Sequence, residues 1–174
     1  MKHLAFFFAG ALLAAAGCGT TGSPAGGGED SSWNRKPAPD FKLKDLDGRE
    51  VSLASFRGKP VLLNFWGVDC PNCKREVPSL VRLHERYRDS GLVILGVNVW
   101  DEKPAKIKEF AAERGIRYPL LVEGSKVANR YGIEVIPTNF FIDPEGKVTS
   151  MEVGFDGEEK LEQRLKQLLS AKSD

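Results

Sequence analysis

The sequence predicts an α/β fold: a central mixed β-sheet with helices on both faces and a β-hairpin extension at the N-terminal side of the domain. Three observations point there. Val61-Leu62-Leu63-Asn64-Phe65-Trp66 is a nearly continuous apolar run, as a strand covered on both faces requires. A cysteine pair, Cys70-Pro71-Asn72-Cys73, follows it directly and leads into a helical pattern. Strand and helix patterns then alternate to the end of the chain, which describes a sheet packed between helices.

The first residues stand apart from that domain. Lys2 and His3 precede an apolar run, Leu4 to Ala16, too short for a membrane span and suited to the core of a signal peptide. It ends in Ala15-Ala16-Gly17-Cys18. Small residues before a cysteine resemble the lipobox of bacterial lipoproteins, in which the cysteine is lipidated and becomes the first residue. Ala15 stands where that motif prefers Leu. An ordinary secretory signal with an incidental cysteine is the alternative. Both imply export, and lipidation of Cys18 implies anchoring to a bacterial membrane with the domain facing the periplasm or the cell exterior. Gly19 to Pro37 is rich in Gly, Ser, Thr and Pro and reads as a flexible tether, reaching on the order of 25 Å. Trp33 is its one large apolar residue.

The domain is expected over residues 38–172, enough chain for one sizeable core. Phe41–Lys44 and Glu50–Leu53 alternate around Asp47-Gly48, a hairpin signal. Val61–Trp66 is the first buried strand. Lys74–Arg88 is helical, with Val77, Leu80, Val81, His84 and Tyr87 near one face and a kink expected at Pro78. Leu92–Trp100 reads as a second buried strand. Ala105–Arg114 follows as a helix with Ile107, Phe110 and Ala111 inward. A short helix near Lys126–Tyr131 comes next. Strands Asn139–Ile142 and Lys147–Val153 flank the turn Asp143-Pro144-Glu145-Gly146. Glu158–Leu169 closes the chain with a stripe of Leu161, Leu165, Leu168 and Leu169.

Charge and cysteine use exclude several classes. Lys and Arg number 25 and Asp and Glu 24; loss of Lys2 with the signal makes the remainder formally neutral at 24 each. That gives no case for nucleic acid or an acidic substrate. Of three cysteines, lipidation of Cys18 leaves only Cys70 and Cys73. The chain is therefore no disulfide-stapled scaffold.

Two thiols at i and i+3, where a buried strand meets a helix, form a redox couple. Cys70 precedes the helix, whose N–H groups and dipole favour its thiolate, and is the expected nucleophile. Cys73, one turn on, is the expected resolving thiol. A structural bridge is the weaker alternative, because so short a loop restrains the unfolded chain little. Half a metal site is weaker still, since closed zinc sites want four Cys or His ligands and only His84 remains. His84 itself lies on the apolar helix face and reads as a core histidine.

The segment Asn64 to Pro78 resembles the active-site segment of thioredoxin-like proteins. Within these the chain is most similar to the exported, membrane-tethered TlpA/ResA-like group. Ala38-Pro39-Asp40-Phe41, the Asp47-Gly48 hairpin, Asn98-Val99, Tyr131–Thr138 and Phe141–Gly146 match that group in order. The resemblance implies a thioredoxin-like fold and thiol–disulfide exchange with protein substrates. It also implies a cis peptide bond at Ile136-Pro137, with Ile136, Pro137 and Thr138 lying against the disulfide and meeting substrate backbone. Trp66 is assigned to packing beside the site or to substrate contact. Asn64 stands where thioredoxin carries a buried acid, and Asn cannot exchange a proton at neutral pH. Glu76, three residues beyond Cys73 and matching a glutamate of the group, is the expected proton acceptor. A first-turn glutamate complementing the helix dipole is its plainer reading. Asn139 stands where another Thr is frequent.

Asp69 departs from the group, which commonly places an aromatic residue there. Its carboxylate disfavours a Cys70 thiolate while the helix end and Lys74 and Arg75 favour it. With the intervening Pro71 and Asn72, Asp69 is expected to set the poise of the couple, leaning toward a reductant. The function expected is an extracytoplasmic, membrane-tethered thiol–disulfide oxidoreductase that reduces protein disulfides and is itself re-reduced by a membrane electron donor. By resemblance, its substrates would be apocytochrome c or oxidase-assembly proteins. No cofactor beyond the Cys70–Cys73 disulfide is expected. The alternatives are a peroxiredoxin-like thiol peroxidase and a copper-binding assembly factor. The adjoining Cys73 argues against the first, and the lack of a histidine after His84 argues against the second.

Overall fold

The computed structural model describes residues 31–170. The signal segment, Cys18 and the tether as far as residue 30 lie outside the described residues. Seven strands form one sheet in the order β2-β1-β5-β4-β3-β6-β7. They are β1 Lys42–Asp45, β2 Glu50–Ser52, β3 Val61–Trp66, β4 Val93–Asn98, β5 Leu120–Val122, β6 Thr138–Ile142 and β7 Val148–Val153. The helices are α1 Pro71–Tyr87, α2 Pro104–Arg114, α3 Ser125–Arg130 and α4 Glu158–Ser170. Strands β3, β4 and β5 run parallel, and β1, β6 and β7 join antiparallel. The expected mixed α/β sheet is therefore present.

All six residues of β3 are buried, as their unbroken apolar pattern requires. Alternate residues of β3 feed two cores. Leu62 and Trp66 join Val77, Leu80 and Leu83 of α1, Ile107 and Phe110 of α2, and Leu161, Leu165 and Leu168 of α4. Leu63 and Phe65 join Val127 and Ala128 of α3, Tyr131 and Phe140 on the opposite face. Strand β3 thus emerges between two packed layers, and the loop that follows it is held from both sides.

Most bounds shift by only a residue or two from those expected, and three differences are larger. Helix α1 begins at Pro71 rather than Lys74, because Pro71 at the first helical position has a pre-set φ and no N–H to satisfy. Strand β5 has no counterpart in the sequence reading; it is only three residues long, yet its pairing with β1 attaches the hairpin to the sheet. The tether reading of Ser31–Pro37 is corrected by contacts that composition does not show. Trp33 stacks on Tyr131 with centroids 5.7 Å apart and meets Phe140 edge-on at 5.3 Å. The backbone alongside it bonds to β7, Arg35 N–H donating to Val148 O and Val148 N–H to Lys36 O. The packed domain therefore starts before Ala38. Trp33→Ala is expected to cost about 2 kcal/mol, from lost apolar contact and ring stacking, measured as a lower urea midpoint with unchanged m.

Candidate active site

The loop from Gly67 to Cys70 carries the chain from β3 into α1. Gly67 is small for a steric reason: a Cβ there would stand 2.5 Å from Cε3 of Trp100, whose ring lies across the loop. Cys70 is the N-cap of α1, with φ −73° and ψ 116°, and its Sγ accepts the N–H of Cys73 at 3.1 Å. The first cysteine thus occupies the position where helix N–H groups converge. Cys70 and Cys73 are joined as a disulfide with Cα atoms 5.2 Å apart. Cys70 is 4 % exposed and Cys73 1 %, so attack begins at Cys70 only by a small margin of access.

Ile136-Pro137 is cis, as the resemblance implies. The Ile136 carbonyl oxygen lies 3.7 Å from Cys70 Sγ. Thr138 Oγ1 donates to the Val135 carbonyl at 2.7 Å, and Gly154 N–H donates to the Pro137 carbonyl at 2.7 Å. Both bonds hold the Pro137 turn from behind. Val135, which precedes it, is exposed. The wall beside Cys70 is therefore built from Ile136 and Pro137, with Thr138 buried as its support.

Beneath the pair lies Glu76, buried on the inner face of α1. Its Oε2 accepts from Asn64 Nδ2 at 2.9 Å and its Oε1 from Asn139 Nδ2 at 2.5 Å. Asn64 Nδ2 also donates to Asn139 Oδ1 at 2.8 Å. Asn64 and Asn139 face one another across the β3/β6 ladder, so the sheet itself sets the spacing of the two amides. Burial pushes the Glu76 carboxyl up to about 7, against the Asn139 and Asn64 hydrogen bonds and with help from the charge of Glu152. Glu76 is therefore a buried carboxyl held by two amides, which complementing the helix dipole alone does not require. Asn139, in sequence a mere detail of fit, proves to be a direct partner of the acid.

Asp69 is placed differently from its expected role. Its Oδ2 lies 2.5 Å from Lys106 Nζ, and Lys74 Nζ stands 4.0 Å from Oδ1. The Lys106 hydrogen bond holds its carboxyl below the usual range. Lys106 also bonds Glu102 at 2.6 Å. Glu102 Oε2 in turn accepts Val68 N–H and Asn98 Nδ2, both at 2.7 Å. The Asp69 charge is thus offset by two lysines, which weakens its leverage on Cys70. The approach to Cys70 is thus tied at Asp69 to α2 and at Val68 to Glu102 just ahead of it. Asn72 accepts from Arg75 at 3.4 Å, at the surface. Of the two roles expected for Trp66, the geometry fits packing and leaves no surface for substrate contact: it is 2 % exposed and stacks on Phe110 at 5.4 Å. The apolar ring exposed beside the loop is Trp100, which the sequence reading does not single out. His84 packs edge-on against Tyr118. Among the described residues, no group of three or more His, Cys, Asp or Glu is placed to hold a metal ion.

Comparison with known proteins gives this geometry its setting. Residues 35–151 match the AhpC/TSA family. The chain is 41 % identical over 132 residues to the thiol–disulfide oxidoreductase ResA of Geobacillus thermodenitrificans, covering 75 % of each chain. It is 36 % identical over 134 residues to ResA of Bacillus anthracis, covering 76 % of this chain and 77 % of that one. Among solved structures, it superposes on a thioredoxin-family thiol:disulfide interchange protein from Chlorobium tepidum with a TM-score of 0.71. That match has 29 % identity and covers 78 % of this chain and 97 % of the other.

Proposed function

The chain belongs to the AhpC/TSA family, in its TlpA/ResA-like branch of thiol–disulfide oxidoreductases, and from that premise we propose that it works outside the cytoplasm, tethered to a membrane, as a reductant of protein disulfides. The observation that carries the chemical part of this reading is the buried Glu76 beneath the cysteine pair. An apolar site with an acid under it disfavours thiolates at both cysteines, which favours the disulfide over the dithiol and makes the couple reducing. The signal segment and the lipobox at Cys18 support the tether and the compartment.

In the reducing direction the pair begins as a dithiol. Cys70 thiolate, formed at the helix N-terminus, attacks a substrate disulfide lying along Ile136 and Pro137. An S–S bond forms between Cys70 and one substrate sulfur, and the other substrate sulfur leaves as a thiolate. The Cys73 S–H bond then breaks, and its proton passes to the Glu76 carboxylate. The Cys73 sulfur attacks Cys70, closing the disulfide seen in the structure and releasing the second substrate thiolate. Two electrons have moved from the pair to the substrate. A membrane thiol donor restores the dithiol. Exported proteins with a reducible cysteine pair fit this chemistry, among them apocytochrome c with its haem-binding C-x-x-C and oxidase-assembly proteins.

Glu76 accepts a proton only when ionised, so the resolving step should accelerate as pH rises through about 7. Glu76→Gln is expected to remove that limb and slow resolution at neutral pH by about 10²-fold, the lower end of general-base contributions. Single-turnover reduction of a protein disulfide across pH 5–9 measures it. A variant that keeps the parent's profile would overturn the proton role.

A further inference from the structure

Behind Glu76 stands a second acid that the exchange steps leave unused. Glu152 of β7 is 6 % exposed and pairs directly with Asn139 of β6 in the antiparallel ladder. Directly opposed residues of such a pair share one face, with Cβ atoms about 4.5–5.5 Å apart. Glu152 therefore lies on the face from which Asn139 reaches Glu76 Oε1. Its Oε1 is 3.6 Å from Lys160 Nζ of α4. Its Oε2 is buried without a hydrogen-bond partner among the described residues. Leaving a buried carboxylate oxygen unpaired costs of the order of 1–3 kcal/mol or more, so a plain structural role does not account for it.

The charged surroundings are few. Glu76 faces Cys73 on its own helix, Asn64 and Asn139 from the sheet, Tyr118 from the segment ahead of β5, and Glu152 from β7. Glu152 faces Lys160 of α4, Asp156 ahead of α4, and Glu76. Burial holds the Glu152 carboxyl above its usual range in spite of Lys160. Two carboxyls in so little solvent do not both ionise readily, and Lys160 draws the first negative charge to the Glu152 end.

We propose that Glu152 is a positioning residue for exchange: with Asn139 between them, Glu152 and Glu76 form a coupled carboxyl pair that shares one negative charge, held at Glu152 by Lys160, so that the proton rests on Glu76 beside Cys73. This rests on the proposed proton role of Glu76. Glu152 forms and breaks no bond with substrate; it sets the pH at which Glu76 is free to take the Cys73 proton.

The test is the pH profile of single-turnover resolution in the full chain for the parent, Glu152→Gln, Glu76→Gln and the double variant. In Glu152→Gln the midpoint near neutrality is expected to fall by roughly one pH unit, as loss of a neighbouring buried charge gives, with the plateau above it retained. In the Glu76→Gln background, Glu152→Gln should change nothing further. A profile altered by Glu76→Gln but not by Glu152→Gln overturns the role of Glu152 alone. A profile altered by neither overturns the role of Glu76 and this one with it. Infrared spectra of the unaltered protein cover the case in which Glu152→Gln does not fold. Two buried carboxyl bands titrating in coupled steps are expected, and one band titrating independently overturns the proposal.

Discussion

Cys70→Ser abolishes reduction of protein disulfides, whereas Cys73→Ser retains the first attack and accumulates mixed disulfides. The asymmetry follows from position. Cys70 caps α1, where its sulfur accepts the Cys73 N–H, and the Ile136 carbonyl lies 3.7 Å away. Serine at Cys70 leaves no nucleophile in that place, and Cys73, one turn inside and nearly inaccessible, cannot stand in for it. Turnover should fall by at least about 10³-fold, as loss of a covalent nucleophile does. Serine at Cys73 removes only the thiol that closes the ring, so the enzyme stalls as a covalent adduct. Non-reducing gels of cells carrying Cys73→Ser would show higher-mass species that collapse on adding a thiol, and mass spectrometry of those species names the substrates. Equal turnover of Cys70→Ser and the parent would reverse the assignment of nucleophile. Adducts on Cys70→Ser in place of Cys73→Ser would do the same.

What can be read from sequence follows the range of the interactions. Strand β3, α1 and the cysteine pair are local patterns, and each falls within a residue or a few of its expected bounds. Glu76 is legible through its spacing from Cys73. Its environment is not, because Asn139 is 63 residues away and a neutral amide has no sequence signature of its own. The Lys106 bond to Asp69 spans 37 residues, which is why sequence sets Asp69 against its neighbours Lys74 and Arg75 and does not show its distant partner. Trp33 is hidden by its Gly- and Ser-rich neighbours, although one aromatic ring finding Tyr131 and Phe140 is enough to order the segment around it. Strand β5 escapes because three residues are too few for a period to show. Long-range pairing and single anchoring side chains are the parts that sequence patterns under-report.

The acid that serves exchange should also weaken the fold above neutral pH. Glu76 has its carboxyl raised from 4.5 to about 7 in the folded protein, chiefly by burial. A raised carboxyl means that the folded state binds the proton more tightly than the unfolded chain does. The contribution to stability is whole below the unfolded value and is lost as pH rises between it and the folded value. Each pH unit between the two values corresponds to about 1.4 kcal/mol, so the loss across that window is on the order of 3 kcal/mol, a large part of a domain's usual stability. Glu76→Gln cannot ionise and escapes this loss. Its amide can accept from only one of the two asparagines through oxygen, so the variant gives up part of a hydrogen bond at every pH. That cost is nearly constant, whereas the ionisation cost is not. The difference in unfolding free energy between variant and parent, both with Cys70 and Cys73 oxidised, should therefore move by on the order of 3 kcal/mol in the variant's favour from pH 4 to pH 8. Urea unfolding at the two pH values measures it. A difference that stays constant would mean that Glu76 ionises as freely in the folded protein as in the unfolded chain, and the neutral-pH proton exchange at Cys73 would lose its physical basis.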